Sequence, residues 1–422
     1  MVIGYQLSAT DYYPLLTTHS PMTLSLCIIV KNEEIALPQC LNSVKDVVEE
    51  MVVLDTGSSD RTVEIARQFG AKVQRFTWCN DFSAARNEAL KYVTGDWVLV
   101  LDADEILVPE ILPDLQQIVD SDRFLVVNLL RQEVGAIQSP YSLVSRLFRR
   151  HRDIYFTRPY HAIIDDSVTE ILCREPHWQI ASLDMVAVLH YGYQQQQIAQ
   201  KDKFAQAEKL MSGFLASHPD DPYVCSKLGA LYVQIGKVVP GIELLERGLK
   251  YAAKNEEILY ELHYHLGIAY SCNRQIPQAI ASYQAATRLN VSSFLKLGAY
   301  NNLGSLWQKI GDLPQAKSTY QKVLQIDPNF AVGYYNLGIS LKAMGEFGEA
   351  IAAYERAIQL NPEYAQAYQN LGVVLLKLGQ VKEGLTVFQQ AIALYESSNP
   401  TLAKQLYQSL QDMGFQPVAS SD

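Results

Sequence analysis

The sequence has no Cys-x-x-Cys pair and no metal-finger spacing, although it contains six cysteines, at 27, 40, 79, 173, 225 and 272. Scattered thiols of this kind exclude a disulfide framework and fit a reducing compartment, so the expected location is cytoplasmic. It also lacks any apolar run of about 18 residues, and the segment MVIGYQLSATDYY carries no Lys or Arg, which argues against a membrane span and a secretory signal. Basic charge is scarce: 35 Lys and Arg stand against 45 Asp and Glu. All of the deficit lies in residues 1–199, which hold 16 basic and 26 acidic side chains, whereas residues 200–422 hold 19 of each. A chain built to grip nucleic acid phosphates would show the opposite balance. Gly (23) and Pro (17) are too few for a collagenous or low-complexity protein, and 422 residues exceed what one hydrophobic core usually serves.

What is present falls into two halves. In the second, Leu-Gly recurs with its glycine at 229, 267, 304, 338 and 372. Seven residues after each stand Gly236, Arg274, Gly311, Gly345 and Gly379, twelve after stand Gly241, Ala279, Ala316, Ala350 and Gly384, and sixteen after stand Leu245, Tyr283, Tyr320, Tyr354 and Phe388. Small residues let paired helices cross closely, a turn glycine ends the first helix, and the large residue fills the interface. The pattern resembles the tetratricopeptide repeat over 222–398, with Pro219, Pro328 and Pro362 in the inter-repeat turns. The first two repeats depart from it, with Arg274 at a turn-glycine position and Gly241 at an alanine position. A connecting helix is expected within 196–221 and a capping helix and tail over 399–422, while residues 1–21 read as a loosely ordered leader.

Asn302, Asn336 and Asn370 recur two residues before the repeat glycine. An amide offers both donor and acceptor, so such a column could pair with the backbone of an extended protein or peptide. It resembles the asparagine ladder of O-linked N-acetylglucosamine transferases. The alternative, that these amides satisfy neighbouring helices, stays open.

In the first half, LSLCIIV (24–30), MVVLD (51–55), AKVQRF (71–76), DWVLVLDAD (96–104) and FLVVNLL (124–130) alternate with amphipathic stretches. Near-continuous apolar strands of this type predict a mostly parallel α/β sheet covered on both faces, with ligand bound beyond the strand carboxyl ends. The residues there are Lys31-Asn32-Glu33-Glu34, Asp55-Thr56-Gly57-Ser58-Ser59-Asp60 and Asp102-Ala103-Asp104-Glu105. A D-x-D pair can hold a hard divalent cation against a diphosphate. Asp55 could accept from a base or ribose, or cap the helix that begins near Asp60.

Together SLCIIVKNEE, VVLDTGSSDRT, DFSAARNEAL and GDWVLVLDADE resemble the family 2 glycosyltransferases, which have the GT-A fold. Over 22–195 the resemblance implies a transferase domain that takes a nucleotide-sugar donor, a UDP-sugar by expectation, and inverts the anomeric carbon. It places Asn32 and Glu33 near the nucleotide, Asp55 on the base, Arg86 and Asn87 on the nucleotide or its phosphates, and Asp102 and Asp104 on ribose and Mn²⁺ or Mg²⁺. RPYHAII (158–164) and VLHYGY (188–193) resemble two later signatures of the branch fused to tetratricopeptide repeats. There the first signature usually reads His-Glu, and this chain has His161-Ala162. The missing glutamate is the natural general base, which leaves Asp165 or Asp166, an acceptor needing no strong base, or impaired transfer. His161 and His190 are candidates for a phosphate hydrogen bond or a metal ligand. Arg146, Arg149, Arg150, His151, Arg152 and Arg158 read mostly as a solvated face. A haloacid dehalogenase-type phosphatase would need a lysine between its acidic motifs, and none occurs between Lys91 and Lys201. The rival from another class is a nucleotide-sugar-binding scaffold with little turnover.

Overall fold

The computed structural model describes residues 5–6, 22–136, 139–192, 197–252 and 255–415, and most of the expected leader lies outside them. They form two compact units that divide at Ile258/Leu259.

The first unit opens with β1 (Tyr5–Gln6), β2 (Leu24–Val30), α1 (Leu37–Val44), β3 (Glu50–Asp55), α2 (Thr62–Gln68), β4 (Lys72–Arg75), α3 (Phe82–Leu90), β5 (Trp97–Val100) and β6 (Glu105–Leu107). It continues through α4 (Leu112–Val119), β7 (Phe124–Glu133), β8 (Tyr141–Arg149), α5 (Asp165–Arg174) and β9 (Gln179–His190). One sheet joins the strands in the order β1-β9-β7-β8-β5-β2-β3-β4, with β6 paired to β9. Strands β5, β2, β3 and β4 run parallel, whereas β8 is antiparallel to both β5 and β7.

Successive strand residues point to opposite faces, and the strand sequences follow that rule. Leu24, Leu26, Ile28 and Val30 join Val53, Trp97 and Leu99 in one core with α1 and α4. Cys27 joins Val52, Leu54, Val98 and Val100 in the other, with α3 and α5. Both faces are covered, which is why the central strands are apolar without a break. The run 96–104 is not one strand: β5 stops at Val100, and the D-x-D turn separates it from β6.

The arginine run is also different from a solvated face. Arg146 and Arg149 keep only 13% of their side-chain surface exposed, and Arg158 is buried, while Arg152 is solvated. Arg149 donates to the Phe124 and Ser121 carbonyls and lies over Trp97, so it pins β8 to the strand beside it.

After β9, α6 (Gln197–Ser217), α7 (Pro222–Gln234) and α8 (Val238–Tyr251) follow in the first unit. Asp221 caps α7 by accepting from the Val224 amide, and Pro222 follows at its first turn.

The chain continues with α9 (Glu256–Cys272), α10 (Ile276–Arg288), α11 (Ser293–Lys309), α12 (Leu313–Ile326), α13 (Ala331–Met344), α14 (Phe347–Leu360), α15 (Ala365–Lys377), α16 (Val381–Ser398) and α17 (Pro400–Asp412). The second unit begins within α9, at Leu259. Its repeat columns act as their spacing requires. A Cβ on Gly267, Gly304, Gly338 or Gly372 would come within 2.5–2.7 Å of the ring of Tyr283, Tyr320, Tyr354 or Phe388. The four turn positions of this unit are left-handed, including Arg274 at φ 60°, as is Gly236 in the first unit.

Candidate functional site

Three strand ends converge. The register that pairs Val30 with Asp55 puts the ends of β2 and β3 side by side, and their loops are laced together. The Asn32 amide donates to Ser58 Oγ and its side chain accepts from the Ser59 amide, the Glu33 amide donates to Thr62 Oγ1, and the Glu34 amide donates to Asp60. Asn32 holds φ 56°, a conformation its short amide tolerates. Asp55 is buried, and one of its oxygens accepts from the Ser58 amide.

Glu33 sits half-buried among Asp104, Asp60 and Asp102. Burial pushes its carboxyl up to about 7, Asp104 adds to the rise, and the exposed Lys203 of α6 opposes it.

Both oxygens of Asp102 are held by guanidinium groups, Arg86 Nη2 at 2.7 Å and Arg146 Nη2 at 3.1 Å. Burial raises its carboxyl, but the two arginines outweigh it and hold Asp102 well below the usual range. Arg86 comes from α3, lies over the Phe156 ring and leaves Nε and Nη1 buried without a partner. Asn87, next to it, spends its amide on the Phe156 backbone, donating to the carbonyl and accepting from the N–H.

Asp104 lies on the other side of this turn. Its Oδ2 is 3.3 Å from His190 Nε2, and His190 Nδ1 hydrogen-bonds Glu133. The antiparallel register of β6 on β9 sets Glu105 opposite His190 and brings the D-x-D turn against the end of β9. Burial lowers the imidazole pKa, but Asp104 and Glu133 override it and lift it to about 10. Arg131 bridges Glu105 and Glu133 at 2.7 and 2.8 Å. Gly192 closes the arrangement, because a Cβ there would stand 2.6 Å from His190 Nε2 and 3.1 Å from Asp104 Oδ2.

Sequence reasoning did not find Glu133, Arg131 or Gly192. The first two lie on β7, and only strand register brings them to the D-x-D turn.

The remaining candidates sit around the 156–166 segment. His161 is exposed at φ 52° and its ring meets Tyr160 edge-on. Ala162 is buried in the core with Phe156 and Ile164, so position 162 presents no group to solvent here. Asp166 pairs with Arg158 and accepts from Thr157 Oγ1, and Asp165 accepts from Ser145 while burial raises its carboxyl. In the second unit the asparagine column is engaged internally. Asn302 donates to Tyr283, Asn336 to Asn301, and Asn370 to Tyr335 and the Gln366 carbonyl.

Fold and site together define an α/β domain with a cluster of carboxylates at the ends of its parallel strands, followed by a helical repeat array. Comparisons agree. A sequence model of glycosyl transferase family 2 matches residues 25–181, and tetratricopeptide repeat models match 297–330, 319–352, 340–379 and 365–398. A TPR repeat-containing protein of Synechococcus elongatus is 43% identical over 305 residues, 72% of this chain and 76% of that protein. An uncharacterized glycosyltransferase of Rickettsia felis is 30% identical over 195 residues, 44% of this chain and 68% of that protein. The SPbeta prophage-derived glycosyltransferase SunS of Bacillus subtilis is 28% identical over 229 residues, 53% of this chain, which spans about half (49%) of SunS. The chain belongs to the family 2 glycosyl transferases that carry tetratricopeptide repeats. Among the described residues no helix is long and apolar enough to cross a membrane.

Proposed function

We propose that the protein is an inverting, divalent-metal-dependent glycosyltransferase that moves a sugar from a nucleotide-sugar donor to an acceptor recruited by its repeats, a protein or peptide. The observation that carries this reading is the Glu133–His190–Asp104 relay beside Glu33 and the clamped Asp102.

Among the described residues no three His, Cys, Asp or Glu side chains stand ready-made around one ion, yet the donor set fits a divalent cation. Asp104 Oδ2 and His190 Nε2 face each other, and Glu133 behind Nδ1 orients the ring as carboxylates do behind metal-bound histidines. Asp104 and His190 would hold Mn²⁺ or Mg²⁺, and Asp102, with both oxygens engaged, would serve the nucleotide rather than the ion. When bound, the cation would supply charge stabilisation to the departing diphosphate. Asp55, held by the Ser58 amide, would accept from the base, and Asp102, held by Arg86 and Arg146, would meet the ribose.

The buried Ala162 and the engagement of Asp166 favour one further reading, a binding scaffold with little turnover. Release of nucleoside diphosphate from a panel of UDP-sugars with Mn²⁺ separates the two. The transferase reading requires release that EDTA and Asp104→Ala both abolish, and binding without release supports the scaffold.

A further inference from the structure

The RPYHAII segment is tied to the first helical repeat. Arg158 is buried at 9% exposure and takes φ 72°, a left-handed conformation rare for any residue but glycine and doubly unusual before a proline. Its guanidinium spans two elements. Nη1 donates to Asp166 at the start of α5, while Nε and Nη2 donate to Asp221 Oδ2 at 3.1 and 2.8 Å.

Asp221 is the cap of α7 and divides its work between two oxygens, Oδ1 accepting from the Val224 amide and Oδ2 from Arg158. Beside this pair Tyr160 packs onto the α6–α7 core, among Phe204, Phe214 and Tyr223.

The same segment continues to the donor site. The Pro159 carbonyl accepts from the Phe82 amide at the start of α3, and the Phe82 and Tyr160 rings meet edge-on at 5.5 Å. Asn87 grips the Phe156 backbone from both sides, and Arg86 passes over the Phe156 ring to reach Asp102. Contacts therefore run without a gap from the N-terminus of α7 through Arg158, the 156–160 segment and α3 to the first Asp of the D-x-D turn.

We propose that Arg158 is a positioning residue for transfer, anchored on Asp221, the cap of the first repeat's leading helix, and holding the 156–161 segment, and through it α3 and Arg86, in the working arrangement. A planar guanidinium suits this task because it serves two carboxylates in fixed directions, which an ammonium does not. The first repeat is on this account a part of the transferase machinery as well as the start of the array. The inference rests on the transferase reading above.

Asp221→Ser in the full chain is the test, because serine keeps the helix cap and removes the ion pair. Arg158→Ala and Arg158→Lys accompany it. The probes are hydrolysis of UDP-glucose and UDP-N-acetylglucosamine with Mn²⁺, in which water attacks the anomeric carbon and UDP leaves, and amide hydrogen exchange at Phe82, Thr157 and Ile163. In Asp221→Ser and Arg158→Ala, kcat/KM for the donor should fall about tenfold or more, since misplacing a supporting element by an ångström costs that much and the chain of contacts ends on Asp102. Arg158→Lys should fall between them and the wild type. Faster exchange at the three amides should accompany the loss, with α7 amides still protected. Unchanged kcat/KM and exchange in Asp221→Ser would overturn the inference, as would a fall in kcat/KM with unchanged exchange at the three amides. If the wild type itself hydrolyses neither donor, exchange alone decides whether Arg158 positions the segment, and the donor panel above decides the transferase reading.

Discussion

His190 Nε2 stands 3.3 Å from Asp104 Oδ2, with Gly192 directly beside both. The two residues come from strand ends separated by more than eighty positions, and the antiparallel pairing of β6 with β9 aligns them. A side chain in the contact would displace the imidazole, so the absence of a Cβ at 192 is what permits it.

Gly192→Ala tests that relationship. The added methyl would meet the tip of the His190 ring rather than backbone, so the ring should swing away at small cost to folding. We expect kcat/KM for the donor to fall by roughly tenfold to a hundredfold, on the scale of an oriented ligand or second-sphere partner lost, while the melting temperature shifts by no more than about 2–4 °C. A variant with full activity and unchanged Mn²⁺ requirement would show that the His190–Asp104 contact is not used.

The two aspartates of the D-x-D turn should differ when neutralised. Asp102→Asn strands Arg86 and Arg146, whose side chains are 9% and 13% exposed. Breaking a buried pair from one side costs about 3–5 kcal/mol. Because Asp102 keeps a third of its side-chain surface (33%), the loss should lie nearer about 2–4 kcal/mol. Asp104→Asn strands no arginine and loses only its share of the His190 pairing, so it should abolish nucleoside diphosphate release at a smaller cost, about 1 kcal/mol. Urea unfolding of both variants beside the assay checks this, and equal destabilisation would contradict it.

Much of this arrangement was legible because it is local. The glycine-to-aromatic spacing of sixteen reads directly as a helix crossing, and strand ends bearing Asp55 and Asp102 follow from buried apolar runs. What could not be read depends on pairing across the sheet. Arg131 and Glu133 look like the polar end of a strand until β7 is set beside β9. Arg146 reads as one charge in a basic run until β8 turns it inward against Asp102. The sequence does not show that the Asn87 amide closes on Phe156, sixty-nine residues away. The asparagine column was visible by its period, but the period could not tell that neighbouring side chains take up its donors.

The repeat array supplies its own test at the irregular turn. Arg274 is exposed and occupies the left-handed conformation that glycine holds at the four equivalent positions. That conformation costs a side-chain-bearing residue roughly 1–2 kcal/mol, partly offset by the greater freedom glycine has when unfolded. Arg274→Gly should therefore stabilise the chain by about 0.5–1 kcal/mol. Gly338→Ala, whose methyl would meet the Tyr354 ring at 2.6 Å, should destabilise it by about 1–3 kcal/mol through overpacking. Denaturant midpoints of the two variants decide the matter, and a destabilised Arg274→Gly would mean that the arginine side chain contributes more than its backbone costs.

The imidazole of His190 gives the metal-free protein a pH signature. Its folded pKa is lifted to about 10 from 6.5 by Asp104 and Glu133 against the opposing effects of burial and of Arg131. A group whose pKa is raised by folding contributes stability that is fully present below the unfolded value and fades as pH climbs through the folded one. His190→Gln keeps a polar side chain but cannot carry the charge. In EDTA the wild type should exceed this variant by roughly 1–3 kcal/mol near pH 6, with the gap narrowing across the range from about 6.5 to about 10 and gone above it. Urea midpoints of the two proteins at matched pH measure the gap, since other groups titrate equally in both and cancel. A gap that widens with rising pH would mean that His190 folds neutral, and the bridge between Asp104 and Glu133 would then have to be a single hydrogen bond rather than an ion-paired relay.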